Sequence, residues 1–468
     1  MQTERARLPV FLVLVVGLGV SPAIRSERPR ASGLTGDPAP SEKPEEEKEK
    51  EKADEKAGEK AGAKRPGPRL AIAVGKILTM AREPARDGGR ARVRDKNGVV
   101  HGGLILVKDG KIEKIVPGEL PRSPPEGYEM IEARDLWAVP GFVDLHSHVG
   151  GSDHNDMVYP TNQGFRTLDN VIPNNPLLRK AIAGGVTTIL FIPGSGTNMG
   201  GFGTLMKTAG TTLEEVLIRF PGALKIAQGG NPERRGGDIG SDRLGMNWLI
   251  RNALREGKVY TEAWDAYESG KSKVKPLKNP RLELFRGLFH REYPVVVHTQ
   301  GYHLIHSTLR ILHDEMKLWV VIDHGTFDGH RMAKEVAKRG IQVMNGPRQL
   351  RFDNRTGSFV GLAYEWRKGG VEDVGVNTDA AVIPQEELVY QAAMAVRLGL
   401  DEGAALRGLT IHGARALGVD DRLGSLEAGK DADIILWTGN PLDIRSSVVV
   451  AIVNGKVAYD TRKEPQRF

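Results

Sequence analysis

The sequence predicts an α/β chain, a (β/α)8 barrel joined to a small β-sandwich built from the two ends of the polypeptide. Three observations lead there. The middle of the chain alternates short apolar runs with amphipathic stretches, the pattern of a parallel sheet covered by helices. Short β-like runs punctuated by glycine recur near both ends, so the two pieces can pair with everything between them inserted. Ionisable residues cluster where the apolar runs stop, and parallel barrel strands all open on one face at their C-termini.

At 468 residues, with 40% apolar residues and 57 glycines, the chain suits a large domain with an appendage. Residues 1–23 carry Arg5 and Arg7, the apolar stretch Leu8 to Val20, and Ser21-Pro22-Ala23. This is the layout of a signal peptide and predicts export to the periplasm or the exterior. The alternative is an uncleaved leader that anchors the chain in a membrane. Residues 24–68 include EEEKEKEKADEKAGEK, which has too little apolar surface to offset its ordering entropy and reads as a charged linker.

Residues 69–138 form the first sandwich part, with AIAVGKILTM and GGLILVKDGKIEKIV turning at Asp109-Gly110. Residues 139–418 form the barrel, whose strand-like runs are WAVPGFVDLH, GVTTILFIPG, GALKIAQGG, PVVVHT, WVVIDHG, IQVMNGP and DVGVNTD. HRMAKEVAKRG and PQEELVYQAAMAVRLGL are amphipathic helix candidates between them. GSGTNMGGFG reads as a Gly-rich loop, either an ordinary flexible one or one that lets the backbone approach a ligand. Residues 419–468 complete the sandwich with GSLEAGKDADIILW and VVVAIVNGKVAYD, turning at Asn454-Gly455.

The formal charge of +7 is spread along the chain, which leaves no nucleic-acid footprint. No membrane contact is expected beyond the leader, and the sequence is compatible with a homo-oligomer. The absence of cysteine excludes disulfides, thiol nucleophiles and thiolate metal sites. A metal would have to rest on His, carboxylates or a modified lysine. Asp144, His146 and His148 end one run, Lys225 lies in another, and His298, His324 and Asp379 end three more. Several imidazoles and a carboxylate converging on one barrel face suit Zn, Mn, Fe, Co or Ni. In extended chain, His146 and His148 point the same way and can reach one ion together. Taken alone, each has a plainer role: a solvent-facing strand end, a helix cap for Asp379, a surface lysine for Lys225.

VPGFVDLHSHVG, AIAGGVTTILFIPG and GLTIHGARALGVDDRLGSLEAGKDADIILW together resemble the amidohydrolase superfamily, in particular imidazolonepropionase-like secreted members. The resemblance runs from about Ala71 to Asp460. It implies that His146, His148 and Asp379 hold a buried divalent ion, zinc foremost. His298 and His324 would hold a second ion, or supply one ligand and one group that polarises the substrate. Lys225 stands where two-metal members carry a carboxylated lysine. Asp379 would be the general base toward metal-activated water, and with His324 it makes up the implied catalytic pair. The implied activity is hydrolysis of a C–N bond in a small amide, cyclic amide or dipeptide-like substrate. The alternatives are a deaminase of the same superfamily and a non-catalytic barrel kept as a binding protein.

Two departures from that pattern stand out. Gly229-Gly230-Asn231-Pro232 replaces the Gly-Glu-Asn-Pro of related members. Tyr302, His303 and His306 occupy a region where an acidic residue is common, so Tyr302 and His303 are candidate substrate contacts. Arg348 and Arg351 are candidates to grip a substrate carboxylate, with surface ion pairing as the plainer alternative.

Overall fold

The computed structural model describes residues 68–81, 98–118, 120–152, 155, 159–233 and 239–468. The expected leader and nearly all of the expected linker lie outside the described residues.

Strands β1 (Leu70–Leu78), β2 (Val99–Lys108), β3 (Lys111–Pro117) and β4 (Glu129–Pro140) come from the N-terminal side. They join β15 (Ile434–Trp437), β16 (Val448–Val453) and β17 (Lys456–Asp460) in one sheet of order β17-β16-β15-β4-β1-β2-β3. The period-2 alternation of β1 explains its burial on both faces. Leu70, Ile72 and Val74 pack with Ile105, Ile434 and Ile452, while Ala71 and Ala73 pack with Leu104 and Leu106 on the opposite side. Ile112 of β3 and Ile452 of β16 share one apolar cluster although they lie near opposite ends of the strand order. The sheet therefore folds over on itself around that cluster, in the manner of a sandwich. Asp109 and Gly110 both have positive φ, as do Asn454 and Gly455, the backbone a tight two-residue hairpin needs.

The second sheet contains β5 (Phe142–Ser147), β6 (Val186–Phe191), β7 (Met199–Lys207), β8 (Leu217–Gln228), β9 (Val295–Thr299), β10 (Val320–His324), β11 (Gln342–Asn345) and β14 (Val374–Val376). Its order follows the chain from β5 to β14, and a parallel bridge between Ser147 and Ala380 brings its two edges together. The intervening hairpin pairs β12 (Leu350–Asp353) with β13 (Ser358–Gly361). Val143, Leu190, Leu205, Ala223, Val296, Val321 and Met344, from seven successive strands, meet in one cluster inside the barrel.

Two details differ from the sequence expectation. WAVPGFVDLH is not one strand: it divides at Gly141 into the end of β4 and the whole start of β5, which belong to different sheets. The glycine-rich stretch after β6 is no loop beyond residue 198. Met199–Lys207 is a fully buried strand, antiparallel to both neighbours. Segment 192–198 is too short for a parallel crossover, which takes about a dozen residues or more. Glycine is required there by close packing, since a Cβ on Gly203 would lie 2.6 Å from the Ile192 side chain.

A buried ion cluster links barrel and sheet. Lys207 at the end of β7 is 1% exposed; it pairs closely with Asp433 and lies 3.1 Å from Asp431. Asp431 is also paired with Lys111 and with Arg422, the latter at 3.0 Å.

Candidate metal centre

Alternation inside the barrel predicts which side chains stand one layer above the apolar cluster. Counting two residues on from Ala223, Val296 and Val321 gives Lys225, His298 and Asp323, which therefore share the inner face. His324 would point outward by the same count. It sits instead at φ 70°, and Asp379 at φ 50°, left-handed backbone that L-residues rarely adopt. At β5 the pairing register shifts between Asp144 and Ser147, which turns His146 inward.

The resulting cluster is tight. His146 Nε2 lies 3.0 Å from His148 Nε2, 3.0 Å from Asp379 Oδ1 and 3.1 Å from Lys225 Nζ. His148 Nε2 is 3.2 Å from the same Asp379 oxygen. The His324 ring centroid is 4.5 Å from that of His146 and 4.3 Å from that of His298. All four imidazoles and Lys225 are buried or nearly so, while the Asp379 side chain keeps 16% exposure.

Hydrogen bonds on the far side of each ring settle which nitrogen faces inward. His148 Nδ1 is 2.9 Å from the Ile192 carbonyl, and His324 Nδ1 is 2.8 Å from that of Gly346. Carbonyls only accept, so both Nδ1 atoms carry the proton and both Nε2 atoms present lone pairs. His146 Nδ1 donates to the Asp323 carboxylate. Asp323 Oδ1 in turn accepts from the His324 amide at 3.0 Å and from Asn377 Nδ2 at 2.9 Å. His298 Nδ1 is 2.8 Å from Ser195 Oγ.

Electrostatics agree with this arrangement. Burial lowers His148 to about 3 and His324 to about 4, and holds His298 well below its ordinary value. All three are neutral and able to act as ligands. Burial also pulls at His146, but Asp323 and Asp379 outweigh it and the net shift is upward. Burial lowers Lys225 to about 8. Asp379 resists burial because His146 and His148 hold it ionised, well below the carboxylate range.

With Nδ1 of both rings committed to acceptors behind them, His146 Nε2 and His148 Nε2 stand 3.0 Å apart beside the Asp379 carboxylate, an arrangement that a shared cation would bridge. His298 Nε2 and His324 Nε2 are buried without a hydrogen-bond partner among the described residues, which is costly for polar atoms that nothing else satisfies. The donor set therefore fits a divalent ion, which His146, His148 and Asp379 together could hold, while Asp323 stays committed to His146 Nδ1. Neutral imidazoles oriented by acceptors behind them are the usual form of a histidine metal site.

The amidohydrolase family model matches residues 328–462. The amidohydrolase tasK of Hapsidospora irregularis is 26% identical over 402 residues, 76% of this chain, which spans 40% of that protein's length. The imidazolonepropionase of Mesorhizobium japonicum is 24% identical over 370 residues, 73% of this chain and 87% of that one. The crystal structure of an amidohydrolase from Thermotoga maritima superimposes with a TM-score of 0.72 at 28% identity, covering 84% of this chain and all of the other. The chain belongs to the amidohydrolase superfamily. Its class is that of a metal-dependent hydrolase acting on carbon–nitrogen bonds, and it is imidazolonepropionase-like.

The amidohydrolase brings together His146, His148, Lys225, His298, His324 and Asp379, all anticipated from the sequence. Tyr302, Arg351 and Arg331 gather instead around Asp328. That carboxylate accepts from the Tyr302 amide at 2.9 Å and lies 3.8 Å from Arg351 and 3.5 Å from Arg331. His303 and Arg348 are exposed. Three positions gain a role that sequence reasoning did not give them: Asp323, which alternation along VVIDH places inward; Asp144, which joins β5 to the end of β14; and Ser195, for which the sequence holds no signal. Asp144 accepts from the His146 amide at 3.0 Å, from Thr378 N and Oγ1 at 3.1 and 2.7 Å, and from Gln385 Nε2 at 2.7 Å.

Proposed function

We propose that this amidohydrolase cleaves a small amide, cyclic amide or dipeptide-like substrate at the open face of the barrel, with one or two divalent ions, zinc foremost. The convergence of Nε2 lone pairs beside Asp379 carries the proposal. His146, His148 and Asp379 would hold one ion; His298 and His324 would hold a second, and Lys225, its amine softened by burial, would add a ligand if carboxylated. A bound divalent ion supplies Lewis acidity, which acidifies water and polarises a carbonyl.

The protein's own groups then do the rest. Asp379, ionised and the most exposed member of the cluster, accepts the proton of the attacking water. It returns that proton to the departing nitrogen, the same group serving as base and then acid. Asp323 keeps His146 oriented through these steps, and Asp144 keeps the two ligand-bearing strand ends in register.

A deaminase needs an acid near the histidine of β9. Gln300 and Tyr302 stand there in this chain, which favours the amide substrate. Arg348, exposed after β11, is proposed to hold a substrate carboxylate, so N-acyl amino acids and dipeptides head the substrate classes. Arg351 is the weaker candidate because Asp328 already faces it. Export is proposed from the leader; among the described residues no helix is long and apolar enough to cross a membrane.

Metal analysis of the purified protein, with amide hydrolysis assayed for the parent, His146→Ala and Asp379→Asn, tests the proposal. The parent should carry one or two divalent ions and hydrolyse, and both variants should lose turnover. A parent that neither retains nor responds to Zn or Mn would refute it. Arg348→Ala should raise KM for carboxylate-bearing amides only; an equal rise for neutral amides would remove the carboxylate assignment.

A further inference from the structure

Four imidazoles face the centre, and each is held from behind by a different partner. Three of those partners can only accept: the Ile192 carbonyl, the Gly346 carbonyl and the Asp323 carboxylate. The fourth is a hydroxyl. Ser195 Oγ lies 2.8 Å from His298 Nδ1, and Ser195 is 6% exposed.

The loop that carries this serine is anchored on both sides. Gly196 N donates to Asn155 Oδ1 at 3.3 Å, Ala227 N donates to the Asn198 carbonyl at 2.9 Å, and Asn198 Nδ2 donates to the Gly240 carbonyl at 3.2 Å. The hydroxyl is therefore presented from a fixed backbone. On the other side of the ring, His298 Nε2 is buried with no hydrogen-bond partner among the described residues. Gly230 leaves that side open, since a Cβ there would stand 3.9 Å from Nε2.

We propose that Ser195 is a positioning residue that fixes His298 with Nε2 toward the metal centre. It accepts the Nδ1 proton and so keeps the Nε2 lone pair available as a ligand. This rests on the metal centre proposed above. Without the hydroxyl, no other hydrogen-bond partner orients Nδ1 among the described residues. The ring can then turn about its χ2 axis or carry its proton on Nε2, and either change withdraws the ligand.

The test compares the full-length parent, Ser195→Ala and Ser195→Thr. Zn or Co affinity is measured by competition with a chromogenic chelator, and the thermal midpoint of the ion-free protein is measured in parallel. Ser195→Ala should weaken ion binding about 10- to 100-fold, the usual range for loss of a group that orients a ligand. Its ion-free midpoint should match the parent's, and Ser195→Thr, which keeps the hydroxyl, should bind within about 3-fold of the parent. Parental affinity in Ser195→Ala would overturn the assignment. So would equal weakening in both variants with a lowered ion-free midpoint, which would mark Ser195 as a packing residue. A parent that binds no ion would instead refute the metal centre itself.

Discussion

Replacing Asp323 by asparagine changes one atom of a fully buried side chain, and the structure dictates which way the new amide must face. Asp323 Oδ1 receives two hydrogen bonds, from the His324 amide at 3.0 Å and from Asn377 Nδ2 at 2.9 Å. The oxygen of the introduced amide must stay at that position to accept both, so its NH2 group is forced toward His146 Nδ1. A donor there requires Nδ1 to accept, which moves the imidazole proton to Nε2. That atom faces Asp379 Oδ1 and His148 Nε2, each 3.0 Å away, and a protonated nitrogen cannot ligate an ion. Losing a group that orients a ligand costs about 10- to 100-fold in affinity. Here the wrong tautomer is actively imposed, so the upper figure applies, about 2.7 kcal/mol of binding free energy. The assay is chelator competition for Zn or Co, with the thermal midpoint of the ion-free variant as control. Both Oδ1 hydrogen bonds survive the substitution, so the midpoint should stay within a few degrees of the parent. Ion binding by Asp323→Asn as tight as the parent's would refute the tautomer reasoning.

Lys207→Met should destabilise the protein by about 3–5 kcal/mol, because it leaves Asp433 buried without its cation; a drop in urea midpoint worth less than about 1 kcal/mol would contradict this. The Asp431 carboxyl is pushed up by burial, but Lys207, Lys111 and Arg422 outweigh this and hold it below the ordinary carboxylate range. Its stabilisation is therefore complete above the unfolded pKa of about 4 and is lost as pH falls through the lower folded value. Urea midpoints should fall more steeply below about pH 4 in the parent than in Lys207→Met, and parallel curves would rule the cluster out as the cause. Gly230→Ala places a non-glycine residue at φ 70° and should cost about 1–2 kcal/mol. Gly230→Glu should add to the same strain a carboxylate beside His298, raising ion affinity above that of Gly230→Ala in a calorimetric titration; identical affinities would show that position 230 does not face the centre.

Much of the centre was legible because a parallel barrel obliges strand-end side chains to converge. That rule alone places His146, His148, His298, His324 and Asp379 on one face, though not the direction in which each ring is aimed, and Lys225 needed alternation within its strand. The antiparallel β7 was hidden because glycines at 200, 201 and 203 carry no strand propensity of their own; tertiary crowding, not local preference, puts them there. Asp323 was within reach of period-2 counting along VVIDH. The inward turn of His324 was not, since it depends on a left-handed backbone that alternation cannot foresee. Tyr302, Arg351 and Ser195 lie outside the barrel strands, and their partners are decided by where distant segments come to rest. No spacing in the sequence links Arg351 to Asp328, or Ser195 to His298.

The folded-over sheet has a bearing on how the chain is made. Strand β4 ends at Pro140, yet its partner β15 begins only at Ile434. At about 5–20 residues per second of synthesis, the β4 edge waits on the order of tens of seconds for its neighbour. Throughout that interval β1 to β4 present an unpaired edge, the surface most prone to pair wrongly with another chain. The barrel strands emerge during the same wait, and Lys207 appears long before Asp431 and Asp433. The C-terminal strands thus act as a clasp, so a ribosome that stalls before Ile434 would release a chain with all its metal ligands and barrel strands but with the β4 edge still open.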